Sequence, residues 1–282
     1  MKITFVVLHY QNIEDTERCV GSVLSQDRVD GVEKDIIIVD NGSPNGSGKI
    51  LAEKYRGSSL VTIKQLVHNL GFSKANNIGF KIAKAGGADI IIFSNNDIEI
   101  RDRAFVKKLK KFVALSGGKY AILAPDIINL DNNHQNPLRD EPMELLKAKK
   151  NVIYKKIVLL MLHIPILRRI IFNYENTREK KWLDKYYETE REAGEFFVPF
   201  GAFLIYLQSW VKKESLAFPS DTFMYMEEDY LGRYIKNKKY AILYEPNLKV
   251  YHADGGSVEF STNGDVYAKM IFRYKEQTKA LR

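Results

Sequence analysis

Through the first hundred residues, short apolar runs alternate with amphipathic stretches, and each run ends in a polar cluster. Residues 3–8 lead into His9-Tyr10-Gln11-Asn12, and residues 35–40 into Asn41-Gly42-Ser43-Pro44-Asn45-Gly46. Residues 60–66 lead into His68-Asn69-Leu70-Gly71-Phe72-Ser73-Lys74, and Ile90-Ile91-Ile92-Phe93 into Ser94-Asn95-Asn96-Asp97. Apolar runs without polar alternation, rich in β-branched residues, predict strands covered on both faces of a sheet. The intervening stretches predict helices: one begins near Asn12 or Asp15 with Cys19, Val20, Val23 and Leu24 apolar, and others cover 49–56 and 75–85. This alternation predicts an α/β fold with a parallel sheet and right-handed crossovers. Such sheets bind ligands beyond the carboxyl ends of their strands, where the polar clusters fall.

From 131 to about 194 the pattern breaks. Asn132, Asn133, Asn136, Pro137 and Pro142 mark a loop, and 147–173 mixes basic with apolar residues. Residues 157–164 are apolar all round, flanked by Lys155-Lys156 and Arg168-Arg169, and Pro165 predicts a break or kink. Too short to span a bilayer, this segment reads as an interfacial element whose cations meet anionic headgroups. It reads equally as a buried helix or a homodimer contact. Tyr154, Trp182, Tyr186 and Tyr187 fit either reading. Regular structure resumes at Glu195, with an apolar stretch over 196–207 and a helix opened by Glu227-Glu228-Asp229. Strands follow at 240–244 and 249–252, and a basic helix at 264–282 carries Tyr267, Ile271 and Tyr274 along one side.

A net charge of +8 asks for an anionic partner. Cations interleaved with Ile and Leu make no polar groove, which argues against nucleic acid. Cys19 is the single cysteine, so no intrachain disulfide exists and a reducing compartment fits. No run reaches the roughly 18 uncharged apolar residues of a membrane span, and the first apolar run is too short for a signal peptide. A cytoplasmic location is expected, with the insert placing the protein on the inner face of the plasma membrane.

The polar clusters carry the candidate chemistry. Asn95 and Asp97, two apart on extended backbone, point the same way and suit a hard divalent cation; the alternative is a turn that caps the strand. Asp40 suits a nucleobase or ribose, or caps a turn. Asn69, Lys74, Asn76 and Asn77 gather at a helix start, where a lysine and the helix dipole favour a diphosphate; Lys74 could also be solvated surface. Within the acidic trio one member is a candidate general base, though acids at a helix start are favoured by its dipole in any case. His252, at a strand end, would face the metal. No Gly-x-Gly-x-x-Gly follows the first strand, and Gly42 to Lys49 lacks phosphate-loop spacing, which disfavours a dinucleotide-binding enzyme and a phosphate-loop protein.

Taken in order, Val39-Asp40-Asn41-Gly42-Ser43, Asn69-Leu70-Gly71-Phe72, Ala75-Asn76-Asn77-Ile78-Gly79, Ser94-Asn95-Asn96-Asp97, Gly201-Ala202, Glu227-Glu228-Asp229 with Arg233, and Val250-Tyr251-His252 with Gly256-Ser257 form one series. That series resembles the inverting family 2 glycosyltransferases of the GT-A fold, most nearly the bacterial rhamnosyltransferase-like branch that builds cell-surface polysaccharides. The resemblance implies a Rossmann-like, mostly parallel sheet flanked by helices. Its halves would be 1–130 for the nucleotide sugar and 195–263 for acceptor and catalysis, with the insert 131–194 and the terminal helix 264–282. The donor would be a nucleoside-diphosphate sugar, dTDP-rhamnose or a UDP-sugar, and the acceptor a saccharide or lipid-linked hydroxyl. His9, Tyr10 and Asp40 would hold the nucleobase, and Asn69, Lys74 and Asn76 the ribose or diphosphate. Asn95-Asn96-Asp97 would stand as the Asp-x-Asp motif, with Asp97 the main ligand of Mg²⁺ or Mn²⁺ and His252 completing the metal or diphosphate site. The family's Glu-Asp motif falls most naturally on Glu228-Asp229, which makes Asp229 the base and leaves Glu228 open. Asn95 departs from the motif's first carboxylate. Two rival readings are a catalytically dead scaffold on membranes, which that departure favours, and a nucleotidyltransferase. The latter usually carries a Gly-rich, basic loop after the first strand, and residues 9–12 contain neither glycine nor cation.

Overall fold

The computed structural model describes residues 1–187, 191–219, 222–253 and 265–280. Its first half runs β1 (Lys2–His9), α1 (Ile13–Leu24), β2 (Glu33–Asp40), α2 (Ser47–Lys54), β3 (Val61–Gln65), α3 (Phe72–Ala85), β4 (Ile90–Asn95) and β5 (Ile98–Glu99). Next come α4 (Phe105–Leu115), β6 (Ile122–Asn129), α5 (Leu145–Met161) and α6 (Pro165–Tyr187). The chain continues through β7 (Gly194–Phe196), β8 (Phe203–Tyr206), α7 (Gln208–Lys213), α8 (Glu227–Lys238), β9 (Ile242–His252) and α9 (Val266–Lys279).

One sheet in the order β3-β2-β1-β4-β8-β6-β9-β5, with β7 on β9, organises these elements. The expected parallel arrangement holds from β3 to β4 and for β6 with β9. Strand β8 inserts antiparallel between β4 and β6, so the second half is mixed. Helices cover both faces, which is why the strands need no polar alternation. Phe5, Val7, Ile36, Ile38, Ile90 and Ile92 pack on one side, with α1, α2 and α4. Their alternates Val6, Ile37, Val39, Ile91 and Phe93 pack on the other, with α3, α7 and α8.

The strands expected at 240–244 and 249–252 fall on one continuous strand, β9, which starts at Ile242. Its register on β6 shifts between Pro125, opposite Glu245, and Asp126, opposite Lys249, so Pro246-Asn247-Leu248 bulges without ending the strand. Asn95 and Asp97 do not share one extended run either, because β4 ends at Asn95 and a turn separates it from β5. Pro165 opens α6, the first helical position, where its missing N–H costs nothing. Residues 157–164 are not buried all round. Val158 and Leu162 pack with Ile171 of α6 and Met270 and Tyr274 of α9, while Ile157, Leu160 and Ile164 are exposed. Tyr154 belongs to this packing, since its hydroxyl bonds the buried Glu175. The side chains of Trp182, Tyr186 and Tyr187, and the pair Gly256-Ser257, lie outside the described residues. Among the described residues no helix is long and apolar enough to cross a membrane.

Candidate functional site

The parallel register brings four strand ends to one level. His9 pairs with Asp40, Asp40 with Gln65, and Leu8 with Asn95. A cavity of about 460 Å³ opens there, lined by Tyr10, Asp40, Ser43, Lys49, His68 and Asn69. Tyr10, Asp40 and Asn69 are thus brought together, and Lys49 joins them although the sequence reading passed over it.

Asp40 is buried, accepts from the Ser43 amide at 3.1 Å, and lies against the first turn of α2. A Cβ on Gly48 would sit 1.8 Å from Asp40 Oδ2, so only glycine leaves the carboxylate where it is. Alanine normally favours a helix over glycine by about 1 kcal/mol, but overpacking costs about 1–3 kcal/mol. We expect Gly48→Ala to lower the melting temperature and weaken nucleotide binding together; a raised melting temperature with unchanged affinity would refute the packing argument. Gly42, at φ +69°, is held by backbone, since its Cβ would meet the His68 carbonyl carbon at 2.3 Å.

Several expected ligands turn out to hold the scaffold. The His9 ring is fully buried, bonded to Thr16 Oγ1 at 2.6 Å and Ser47 Oγ at 2.8 Å. Burial pushes its pKa down to about 4, against the pull of Asp40, so it stays neutral and does not line the cavity. Asn69 Oδ1 accepts from Asn41 Nδ2 and the Gly71 amide. Asn96 donates to the Asn12 carbonyl and Thr16 Oγ1, which ties the β4 tip to α1. Asn77 holds Ala217 and Phe218. Asn76 is buried with its amide oxygen unbonded. Lys74 is exposed and, like Asn95, lies outside the cavity lining.

A second cavity, of about 400 Å³, is lined by Asp15, Arg18, Asp97, Arg101, Tyr251 and His252. Pairing of Ile98 with His252 brings the β9 end beside Asp97. Asp97 Oδ1 is buried, accepts no hydrogen bond of normal geometry, and faces His252 Nε2 at 3.3 Å. The other ring nitrogen, Nδ1, meets Gln135 Oε1 at 2.8 Å. Asp15 was not anticipated. Burial pushes its carboxyl up, Arg18 pulls it down, and the charge on Asp97 adds to the rise. Two carboxylates sharing a cavity with an unbonded oxygen suit a divalent cation. Among the described residues no group of three His, Cys, Asp or Glu side chains could hold a metal by itself. Among the described residues, Asp97 and His252 thus leave coordination positions that a bound substrate could fill, as phosphates commonly do for Mg²⁺.

The segment Phe200-Gly201-Ala202 links this cavity to the acidic trio. The Asn95 amide donates to the Ala202 carbonyl at 2.8 Å. The Phe200 ring meets the His252 ring edge-on at 5.8 Å. A Cβ on Gly201 would lie 3.0 Å from Glu228 Oε1. The chain enters α8 through Tyr225 and Met226, both at positive φ (67° and 73°). Such strain costs about 1–3 kcal/mol per residue and clusters at functional sites.

The three acids then diverge. Glu227 is buried, bonded by Thr222 and backbone, with its carboxyl pushed up by burial. Asp229 is buried and accepts from Arg139 and from the Met143 amide at 2.9 Å. Glu228 is half-buried. Burial first and the charge of Asp229 next raise its carboxyl to about 7, while backbone hydrogen bonds and Arg139 pull the other way. Arg139 and Gln135 escaped the sequence reading because they lie in an irregular stretch with no periodicity to place them.

Residues 4–174 match the family model described as Glycosyl transferase family 2. The dTDP-rhamnosyl transferase RfbF of Shigella flexneri is 31% identical over 122 residues, 43% of this chain and 36% of that protein. The chain thus aligns with about a third of that relative's length. Among solved structures, S. aureus TarS 1-349 in complex with UDP-GlcNAc aligns at TM-score 0.55 and 16% identity, over 97% of this chain and 66% of that one. GalNAc-T7 with UDP, GalNAc and Mn²⁺ aligns at TM-score 0.58 and 14% identity, over 91% and 45%. The fold is that of the GT-A glycosyltransferases.

Proposed function

Because this chain belongs to glycosyl transferase family 2, we propose that it moves a sugar from a nucleoside-diphosphate sugar to an acceptor hydroxyl, inverting the anomeric carbon. The observation that carries the reading is the 200–202 segment, which joins the Asp97–His252 cavity to Glu228. The nucleoside lies over Tyr10 and Asp40, and Lys49 supplies positive charge beside it. Glu228 acts as the base: it takes the acceptor proton as that oxygen attacks the anomeric carbon and the bond to the diphosphate breaks. One displacement from the face opposite the leaving group gives inversion. Asp229, tied to Arg139 and Met143, positions α8 beneath the base. A divalent cation held by Asp97 and His252 would offset the charge developing on the departing diphosphate. The dTDP-rhamnosyl transferase relative favours a dTDP-sugar, and UDP in the structural neighbours keeps UDP-sugars as the second candidate. The acceptor is a saccharide or lipid-linked hydroxyl.

The assignment of base predicts a shift on removing Arg139. With that cation gone, Asp229 and Glu228 repel each other more, so the Glu228 carboxyl rises further. Arg139→Met should move the acidic limb of kcat/KM to higher pH and cost up to about 3 kcal/mol of stability. A pH profile unmoved from the wild type, in a folded variant, would remove Arg139 from this role.

A further inference from the structure

Helices α5 and α6 carry an apolar surface that no described residue covers. Leu146, Ile153, Ile157 and Leu160 recur at helical spacing along α5 and are exposed, Leu146 and Leu160 by more than 70%. Ile166 (82% exposed) and Ile170 (65%) continue the surface onto α6. The same hairpin already buries Val158, Leu162 and Ile171 against α9, so the outward residues are surplus to its own core. Exposed apolar patches of this kind mark interaction sites.

Charge selects the partner. Residues 145–174 hold seven Lys and Arg and no Asp or Glu, in a chain whose net charge is +8. Lys149, Lys150, Lys156 and Arg169 are exposed among the apolar residues. Lys155 and Arg168 turn to the rings of Tyr274 and Tyr267 at 5.6 and 4.2 Å. A second copy of the chain on a two-fold axis would set the exposed cations against one another. Nucleic acid would meet the cations but leave the isoleucines and leucines without a partner. An anionic bilayer surface satisfies both, with apolar side chains at the acyl boundary and lysines among the headgroups.

We propose that α5 and α6 form a docking surface that seats this protein on anionic lipid bilayers without crossing them. The surface uses no residue that lines either cavity and none of the acidic trio, so it stands or falls apart from the transferase reading.

Flotation of the purified chain with phosphatidylcholine–phosphatidylglycerol vesicles, against phosphatidylcholine alone, tests it. The chain should float with the mixed vesicles only, and added salt should weaken the association. Each cation near an anionic surface contributes roughly fivefold in partitioning. The triple variant Lys149→Glu, Lys150→Glu, Lys156→Glu should therefore lose about 100-fold or more. Ile153→Ser with Ile157→Ser and Leu160→Ser should lose at least about tenfold. Both variants should keep wild-type melting and nucleotide affinity, since these side chains are exposed. Absence of flotation by the wild-type chain overturns the proposal. So does self-association, or binding to a labelled oligonucleotide, that the same substitutions abolish while vesicles are ignored.

Discussion

Replacing Glu228 with Gln lowers kcat by about 10²–10⁴-fold, the usual contribution of a positioned general base, and leaves nucleotide affinity unchanged. The side chain keeps its size beside Gly201 but can no longer take a proton. In the wild-type protein the Glu228 carboxyl sits near 7 because burial and Asp229 disfavour its charge. A base works only when deprotonated, so kcat/KM should climb as pH rises through about 7 and level off above. The Gln variant should show no such limb. The stability sign runs the other way: a carboxyl raised on folding stabilises the protonated state, so stability falls as pH rises above the ordinary carboxylate range. Glu228→Gln should therefore be at least as stable as wild type at pH 8. Asp229→Asn provides the contrast. Asp229 already accepts from Arg139 and Met143, so that change should lower stability and activity together and leave a pH limb in whatever activity remains. If Asp229→Asn abolished the limb and Glu228→Gln kept it, the two roles would be exchanged.

Asp97→Ala should lower turnover by at least about 10²-fold, the scale on which one group stabilising developing charge is worth. Oδ1 of Asp97 is buried without a normal hydrogen bond, shares its cavity with Asp15, and faces His252. An acceptor in that condition costs stability unless something charged fills the place. Removing it should thus cost activity without destabilising the fold, and the melting temperature should stay level or rise. Nucleoside diphosphate binding should also lose its dependence on added Mg²⁺ or Mn²⁺. Asp97→Ala with wild-type turnover, or a fold weakened in proportion to the lost activity, would make Asp97 a structural residue.

Much of this was readable in the chain because the α/β pattern is locally determined. Residues 5–8, 36–39 and 90–93 are so uniformly apolar that strands covered on both faces accommodate them best, and the polar residues after them mark where a ligand can lie. Reading failed where a local rule met a tertiary exception. Strand β6 carries Pro125 and Asp126 in its interior, residues that argue against a strand, and its register break on β9 accommodates them. It was passed over, as was α4 before it. Strand β9 was divided for the same reason at Pro246. Asp40 ends β2, Asp97 lies in the turn after β4 and His252 ends β9, so their places beside the cavities were legible. Choosing between Glu228 and Asp229 was not, because it depends on Arg139, ninety residues away in sequence and placed by an irregular loop. His9 shows the converse: a polar residue after an apolar run that turns inward to bond Thr16 and Ser47.

The most direct test of the central claim is release of nucleoside diphosphate from a panel of UDP- and dTDP-sugars, with Mg²⁺ or Mn²⁺ and a mixture of saccharide acceptors. The account predicts turnover confined to one donor and lost in both Glu228→Gln and Asp97→Ala. No turnover of any donor, together with no calorimetric binding of UDP or dTDP, would contradict it and leave a protein that keeps the fold without the reaction.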